Sequence, residues 1–427
     1  MHKTYGTQIK PLIFSAYTLV FILMGCGSIK KTIKSQISSQ NLQNSFHGLF
    51  IIDAQSGKEI YNHNGDKYFT PASNTKIITF YTGLKLLPRN IPTLKYIVAN
   101  DTVFTEGLGD PTWLHPYFKD STAVNWLKHQ ETIALYNGNH NESRYGPGWA
   151  WEDYDAYFSP EKSTLPLYGN VVTISNNNGL EVSPKTFLDK TMVKDTTTKR
   201  DEFHNRFYIS STEKDTLEVP FLTSDSLTNQ LLESVIGKKV ILTSYFPKGE
   251  KQTLYGIETD SIYKRMLFES DNFLAEQLLM AASGTISDTL STKNAIDFML
   301  EHHLDDLEHL PRWVDGSGLS RYNLFTPRSF VQILQKLHRE TLGERLFGIF
   351  PMWGPDSTVE QWEDPSTEPF LFAKSGSVGN NYNLSGYVKT KSGKLLIFSF
   401  MNNHFRVPSS EIRNIMYTTL KHLHQNY

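Results

Sequence analysis

The alternation of apolar and polar positions gives the chain two regular ends and a less regular middle. Residues 47–62 have the pattern of two short strands joined by a turn, which predicts a hairpin. Apolar residues then recur at steps of three and four along 77–87, which predicts a helix with one buried face. Thr70 is expected to cap this helix, with Pro71 at its first position.

The region after about residue 258 is predicted to be helical first and β-rich later. Between 89 and 257, short β-like runs are broken by Gly, Asn, Asp and Pro, and few amphipathic helices are expected. The pattern therefore predicts one sheet with strands from both ends of the chain, flanked by helices and interrupted by a β-rich insertion. The expected later elements are helices at about 260–279 (with a break near Ser270), 292–302 and 327–337, strands at 370–373, 384–388 and 395–401, and a last helix capped by Ser409 or Ser410.

Length and charge limit the class of protein. A chain of 427 residues is longer than a typical domain with a single small core. This length favours one large domain with an insertion, or two to three domains. The formal net charge of −2 argues against nucleic acid as a partner. We assign 46–88 together with 258–427 to one composite domain and 89–257 to the insertion.

The N-terminus has the features of an export signal. Lys3 and Lys10 precede an apolar run that ends just before Cys26, the only cysteine in the chain. This predicts a signal peptide over 1–25. The cysteine that follows resembles a bacterial lipobox, whose thiol receives a diacylglycerol and becomes the new N-terminus. We therefore expect a lipid-anchored, periplasm-facing lipoprotein of the cell envelope, with 26–45 as a flexible tether; the alternative is an uncleaved anchor with an incidental cysteine.

Ser73 and Lys76 are the first candidates for chemistry. They lie three residues apart and share one face of the predicted helix. A serine hydroxyl at the positive end of a helix, with an amine one turn away, is the arrangement that an activated nucleophile needs. The spacing alone is weak, because it recurs at Ser28/Lys31, Ser159/Lys162, Ser211/Lys214 and Ser261/Lys264.

Two further motifs follow downstream. Ser270-Asp271-Asn272 falls between helical segments, and Lys374-Ser375-Gly376-Ser377 follows a predicted strand. A similar run at 391–393 is interpreted as a hairpin turn. The ordered combination of Ser-x-x-Lys, Ser-x-Asn and Lys-Ser-Gly is much more specific than any one of its parts.

In this order the motifs resemble those of the penicillin-recognising serine enzymes. Further segments narrow the resemblance to the D-Ala-D-Ala carboxypeptidase/endopeptidase family, the class C low-molecular-mass penicillin-binding proteins. It implies an α+β fold: a penicillin-binding-protein/β-lactamase-like transpeptidase domain, with an antiparallel sheet flanked by helices, and inserted domains between the first and second motifs. The segments that carry it are Pro71–Lys76, Gly107–Thr112, Gly146–Asp153, Ser270–Glu276, Asp315–Ser320 and Leu384–Val388.

The resemblance also implies roles for the motif residues. Ser73 would attack a carbonyl carbon, with Lys76 as its proton acceptor. Ser270 would relay a proton to the leaving amine, and Asn272 would hold the substrate amide and Lys76. Lys374 would attract a substrate carboxylate that the Ser375 hydroxyl also binds; the family usually has Thr there, and the hydroxyl is kept. Backbone N–H groups of Ser73 and Ser377 would form an oxyanion hole, and Gly376 is the remaining substrate-binding candidate of this strand.

The turn at 315–318 leaves two interpretations open. Asp315 and Ser317 are candidates for substrate contact, and a purely structural turn explains them equally well. The histidines lack metal-ligand spacing, so we expect no metal and no cofactor.

The function implied is a serine D-Ala-D-Ala carboxypeptidase or endopeptidase that acts on peptidoglycan peptides through an acyl-enzyme and is inhibited covalently by β-lactams. One alternative is a serine β-lactamase or esterase on the same core. The other is a catalytically silent protein that binds the cell wall.

Overall fold

A computed structural model describes residues 30–38, 42–352 and 369–427. The predicted signal peptide and Cys26 lie outside these ranges. In the described residues, no helix combines the length and the apolar character that crossing a membrane requires.

The described elements follow in chain order. The helices are α1 (30–37), α2 (Lys76–Leu86), α3 (Thr122–Lys128), α4 (Asp225–Ile236), α5 (Thr259–Phe268), α6 (Asn272–Ser283), α7 (Thr292–His302), α8 (Pro327–Glu340), α9 (Gly343–Ile349) and α10 (Ser409–Asn426). The strands are β1 (Phe46–Asp53), β2 (Glu59–His63), β3 (Asn90–Ala99), β4 (Thr102–Gly107), β5 (Thr132–Tyr136), β6 (Val171–Ser175), β7 (Glu181–Ser183), β8 (Thr191–Val193), β9 (Phe207–Ile209), β10 (Leu217–Pro220), β11 (Ile241–Thr243), β12 (Gln252–Glu258), β13 (Leu371–Val378), β14 (Asn381–Lys389) and β15 (Leu395–Asn403).

The central sheet is antiparallel and has the strand order β13-β14-β15-β1-β2. Strand β1 pairs with β15, with Leu49 opposite Phe400, so the two ends of the chain meet in one sheet. Helices cover both faces, and β15 is therefore apolar on both of its sides. The predicted antiparallel sheet flanked by helices is confirmed.

Each face of the sheet closes a separate core. On one face, α8 packs against β15 and β1, and α2 and α6 belong to the same core, which includes Ile397 and Met401. On the other face, α10 packs through Ile412 and Met416 against Leu384. The three layers put the beginning of α2 next to the sheet.

The flexible tether predicted for 26–45 is wrong in the part that the structure describes. Residues 30–37 form helix α1, and Ile33 and Ile37 are almost fully buried in the same core as α10. These two side chains lie four apart and share one helix face, and Leu42 joins them in this core. The segment has few apolar residues overall, but two of them lie on one face of the helix. Burial of these two in the core that contains α10 holds the helix against the domain.

The insertion is more helical than predicted. Its five-stranded sheet has the order β11-β5-β4-β3-β12, and β5 is parallel to both β4 and β11. Parallel neighbours need a crossover connection, which explains why α3 and α4 lie between these strands in the chain. The expectation of few amphipathic helices missed α4, although Ser224 caps its start and Gly237, at φ +75°, ends it.

The two ends of the insertion lie side by side. Asn90 at the start of β3 is paired with Glu258 at the end of β12. The chain therefore enters and leaves this second sheet at neighbouring points, and α5 follows β12 immediately.

The helix starts also differ from prediction in detail. Pro408, rather than Ser409 or Ser410, is the N-cap of α10, and no side chain caps that helix. At α8, by contrast, Thr326 and Ser329 form a reciprocal capping box around Pro327.

Candidate active site

Ser73 lies in a single 3₁₀ turn, Ala72–Thr75, directly before α2. The prediction that Thr70 caps an α-helix with Pro71 at its first position is wrong: Pro71 is the N-cap of the 3₁₀ turn, and α2 begins only at Lys76. Ala72 has φ +48°, an unusual value for a residue with a side chain. We call Ala72–Thr75 the Ser73 turn.

Side chains of the sheet hold the Ser73 turn in place. The Asn383 amide donates to the carbonyls of Thr70 and Pro71, both at 2.9 Å. The Asn74 amide donates to Ser385 Oγ at 2.7 Å, and Ser385 in turn hydrogen-bonds Ser399. The sequence did not connect these residues to the turn, because more than 300 positions separate them from it.

Lys76 connects the first motif to the second. Its Nζ donates to Ser73 Oγ at 3.0 Å and to Asn272 Oδ1 at 2.6 Å. A third bond, at 2.8 Å, goes to the Ser317 carbonyl. The side chain is fully buried, so these partners fix the position of the amine.

Burial lowers the pKa of the Lys76 amine to about 8, because the charged form is poorly solvated there. The carboxylates of Asp315, Asp271 and Glu276 act in the opposite direction and favour the ammonium form. The net effect raises the fraction of neutral amine near neutral pH. A neutral amine within hydrogen-bond distance of a serine hydroxyl can accept its proton.

The second motif lies at the break between α5 and α6. Ser270 has φ +56°, and Asp271 caps α6 by accepting from the Leu274 N–H at 3.0 Å. Asn272 faces Lys76 through Oδ1, and its Nδ2 donates to the Phe158 carbonyl at 3.0 Å. The orientation of Asn272 therefore depends on a residue of the insertion.

The third motif lies on β13, against the Ser73 turn. A Cβ at Gly376 would be 2.5 Å from the Pro71 carbonyl oxygen and 3.0 Å from the Ser73 nitrogen, so this close approach requires glycine. Lys374 is fully buried and donates to the Ser375 carbonyl at 2.8 Å. Burial, reinforced by the nearby Lys76, lowers the pKa of Lys374. The structure therefore brings all three motifs together.

Asp315 and Ser317 do not reach the cavity described below. The Asp315 carboxylate is buried and accepts four hydrogen bonds, from the N–H groups of Gly318 and Ser320 and from the side chains of Trp149 and Asn323. Ser317 is fully buried as well. Their prediction as substrate contacts is corrected: Asp315 organises its own turn, and the Ser317 backbone contacts Lys76.

A cavity of about 530 Å³ opens above Ser73. It contains Ser270, Asn272 and Ser377 from the second and third motifs. Sequence reasoning did not select several of its other residues, because nothing local distinguishes them from surface positions of the insertion and of α5. These additional lining residues are Tyr157, Phe158, Glu218, Arg265 and Glu269, and Asp153, from the segment 146–153 already singled out, lines the cavity as well.

The other Ser-x-x-Lys pairs that the structure describes have ordinary environments. Ser159 is buried, Ser211 hydrogen-bonds Asp195, and Ser261 is exposed on α5. Residues 391–393 lie in the turn between β14 and β15. Ser28 lies outside the described ranges, and within those ranges no group of three or more His, Cys, Asp and Glu side chains is arranged to hold a metal ion.

Residues 29–205 and 253–423 match a family described as D-Ala-D-Ala carboxypeptidase 3 (S13). Among individual relatives, the D-alanyl-D-alanine carboxypeptidase DacB of Haemophilus influenzae is 28% identical over 156 residues, which are 34% of this chain and 31% of the relative. That match therefore spans less than a third of the relative's length. A carboxypeptidase of Mycobacterium tuberculosis is 22% identical over 391 residues, 83% of this chain and 75% of the relative.

Solved structures share the fold. The crystal structure of penicillin-binding protein 4 from Haemophilus influenzae matches with a TM-score of 0.71 at 18% identity, covering 92% of this chain and 99% of that one. The same protein in complex with a β-lactam matches with a TM-score of 0.65 at 16% identity and the same coverage. These matches confirm the fold class that the motifs implied.

Proposed function

The chain belongs to the D-Ala-D-Ala carboxypeptidase 3 (S13) family, and from this premise we propose that it is a serine-type D-Ala-D-Ala carboxypeptidase or endopeptidase. Its substrates are the stem peptides of peptidoglycan, and the reaction passes through an acyl-enzyme on Ser73. β-Lactams acylate the same serine and inhibit the enzyme.

One observation carries the proposal. The buried Lys76 amine lies within hydrogen-bond distance of both Ser73 Oγ and Asn272 Oδ1, at the floor of a cavity large enough for a peptide end. A positioned amine of lowered pKa next to a serine hydroxyl is what nucleophilic attack on an amide requires.

The proposed acylation proceeds as follows. Ser73 Oγ attacks the carbonyl carbon of the penultimate D-Ala as its proton passes to the neutral Lys76 amine. Backbone N–H groups of Ser73 and Ser377 stabilise the oxyanion. Ser270 Oγ then passes a proton to the leaving nitrogen and takes one from the Lys76 ammonium. The C–N bond breaks, the C-terminal D-amino acid departs, and Lys76 is neutral again.

Substrate binding and deacylation complete the cycle. The terminal carboxylate approaches Lys374, where its negative charge favours the ammonium form of that buried amine, and the Ser375 hydroxyl hydrogen-bonds it. Water attacks the ester carbonyl of the acyl-enzyme and gives up a proton as Ser73 Oγ leaves as a hydroxyl. Lys76 is suited to accept and return that proton, because its position is fixed against Ser73.

Product analysis tests the proposal. Incubation of the purified protein with a pentapeptide muropeptide is expected to release D-Ala, and incubation with cross-linked sacculi shows whether D-amino-acid cross-links are cut as well. Pre-treatment with penicillin should suppress both reactions. Steady turnover of a chromogenic cephalosporin without a lasting acyl-enzyme would instead indicate a β-lactamase. An intact pentapeptide and intact cross-links would indicate a silent cell-wall-binding protein.

We also propose that the protein is anchored in the bacterial envelope by a lipid on Cys26, facing the periplasm. Support comes from the sequence, where a basic stretch and an apolar run precede the single cysteine. In a host that processes lipoproteins, the protein is expected to incorporate a labelled fatty acid and to partition into detergent. Cys26→Ser should abolish both, and a Cys26→Ser protein that still incorporates the label would contradict this anchor.

A further inference from the structure

Glu276, on α6, is a buried carboxyl group for which the proposed reaction has no use. Only 1% of the residue is exposed. Its Oε1 accepts the Ser317 N–H at 2.7 Å, and its Oε2 is buried without a hydrogen-bond partner in the described part of the chain. Burying a carboxyl group with one unpaired oxygen lowers the stability of the fold, which indicates that this group has a function.

The residue that Glu276 holds is itself a partner of Lys76. The Ser317 carbonyl accepts from Lys76 Nζ at 2.8 Å, and the preceding carbonyl, of Gly316, accepts from the Thr79 hydroxyl at 2.6 Å. Lys76 and Thr79 lie on α2, whereas Glu276 lies on α6. The backbone at 316–317 is thus held between two helices by three hydrogen bonds.

Close packing leaves this backbone little freedom. A Cβ at Gly316 would lie 2.5 Å from the Ala275 carbonyl oxygen, so the turn is in direct contact with α6. Without an acceptor at position 276, the Ser317 N–H would be buried and unpaired, and the local backbone would rotate to satisfy it. That rotation would move the Ser317 carbonyl away from Lys76.

We propose that Glu276 is a positioning residue of the acylation reaction: by holding the Ser317 N–H it fixes the carbonyl that holds the Lys76 amine against Ser73. The inference rests on the proposed function. Glu276 does not touch substrate; it acts through Ser317.

The charge of Glu276 gives this role a measurable signature. Burial raises the pKa of Glu276 to about 7, with Asp315 adding to the effect and Lys162 opposing it. Asp315, Asp271 and the Glu276 carboxylate all raise the pKa of Lys76, and the charge of Lys76 in turn lowers the pKa of Lys374. Removing the Glu276 charge should therefore lower the pKa of Lys76 and extend acylation to lower pH.

The experiment compares Glu276→Gln and Glu276→Leu with the full-length wild-type protein, using fluorescent penicillin as the probe. Acylation rate constants are measured from pH 5.5 to about 9.5, where the rate should rise as Lys76 loses its proton. Leu cannot accept the Ser317 N–H, and we expect acylation to slow by about 10- to 100-fold. Gln retains an acceptor oxygen, so acylation should recover to within about threefold. The acid limb should move to lower pH, because the carboxylate that favours the Lys76 ammonium is gone.

The controls separate positioning from folding. Glu301→Gln, at an exposed position of α7, should leave the rates and the pH profile unchanged. Thermal melting reports any loss of folded protein. If the Leu variant fails to fold, the Gln variant decides, since an acid limb that stays in place or moves upward would overturn the inference. Wild-type rates in a folded Leu variant would overturn it as well, whereas absence of labelling in the wild-type protein would overturn the proposed function itself.

Discussion

Replacing Ser73 with alanine is expected to abolish both acylation by fluorescent penicillin and release of D-Ala from a pentapeptide. Lys76 would keep its bonds to Asn272 and Ser317, so the site should stay assembled without its nucleophile. Losing the group that forms the covalent bond typically costs at least about 10⁴-fold in rate. The measurement is gel fluorescence after labelling, together with chromatography of the released amino acid.

The chain supplies a matched control for this change. Ser261→Ala alters a serine that also stands three residues before a lysine, but Ser261 is exposed on α5 and belongs to none of the three motifs. It should label and release D-Ala at the wild-type rate. Labelling of the Ser73→Ala protein, or its loss in the Ser261→Ala protein, would show that the wrong serine has been assigned.

Replacing Gly318 with alanine is expected to cause the largest structural effect among single methyl additions near the site. Gly318 has φ +86°, and a Cβ there would lie 1.9 Å from the Ala72 carbonyl oxygen and 3.0 Å from Thr75 Oγ1. The left-handed conformation costs about 1–2 kcal/mol, and a displacement of the packed Ser73 turn would raise the total to about 3 kcal/mol or more. Because the turn that moves carries Ser73, acylation should fall by at least about 100-fold.

Gly393→Ala separates backbone strain from collision. Gly393 has nearly the same φ, +85°, but a Cβ there would meet no described heavy atom within 4 Å. We expect the Gly393→Ala protein to have a free energy of unfolding lower by only about 1 kcal/mol, the cost of the strained backbone. Its acylation rate should equal that of the wild type. Denaturant unfolding and penicillin labelling measure the two effects, and equal losses in both variants would refute the contact with Ala72 as their cause.

The sequence by itself determined the elements whose signals are local. Apolar spacing predicted α2, α7 and α8, and short apolar runs predicted the terminal strands, because a buried face repeats every few residues. The order of three short motifs established a resemblance to the penicillin-recognising serine enzymes, and that resemblance implied the fold class. It also singled out Ser73 among five serines that precede a lysine at the same spacing.

Local signals also misled where burial depended on distant partners. Helix α1 was predicted to be a tether, because its two isoleucines are buried only through contact with the core that contains α10, and the local sequence does not show that contact. Asp315 and Ser317 looked like candidates for substrate contact, and only their packing shows that they are enclosed within their turn. A polar residue in a glycine-rich turn has the same sequence pattern in either role.

Only the tertiary structure decided how the site is assembled. Lys76 meets Asn272 from 196 positions away and the Ser317 carbonyl from 241 positions away. The carbonyl that accepts from Asn272 belongs to Phe158 in the insertion, and the side chains that hydrogen-bond the backbone and Asn74 around the Ser73 turn lie on β14. A sequence specifies periodicity within an element, but distances between elements follow from how whole surfaces pack, and both the pKa of Lys76 and the space above Ser73 depend on those distances.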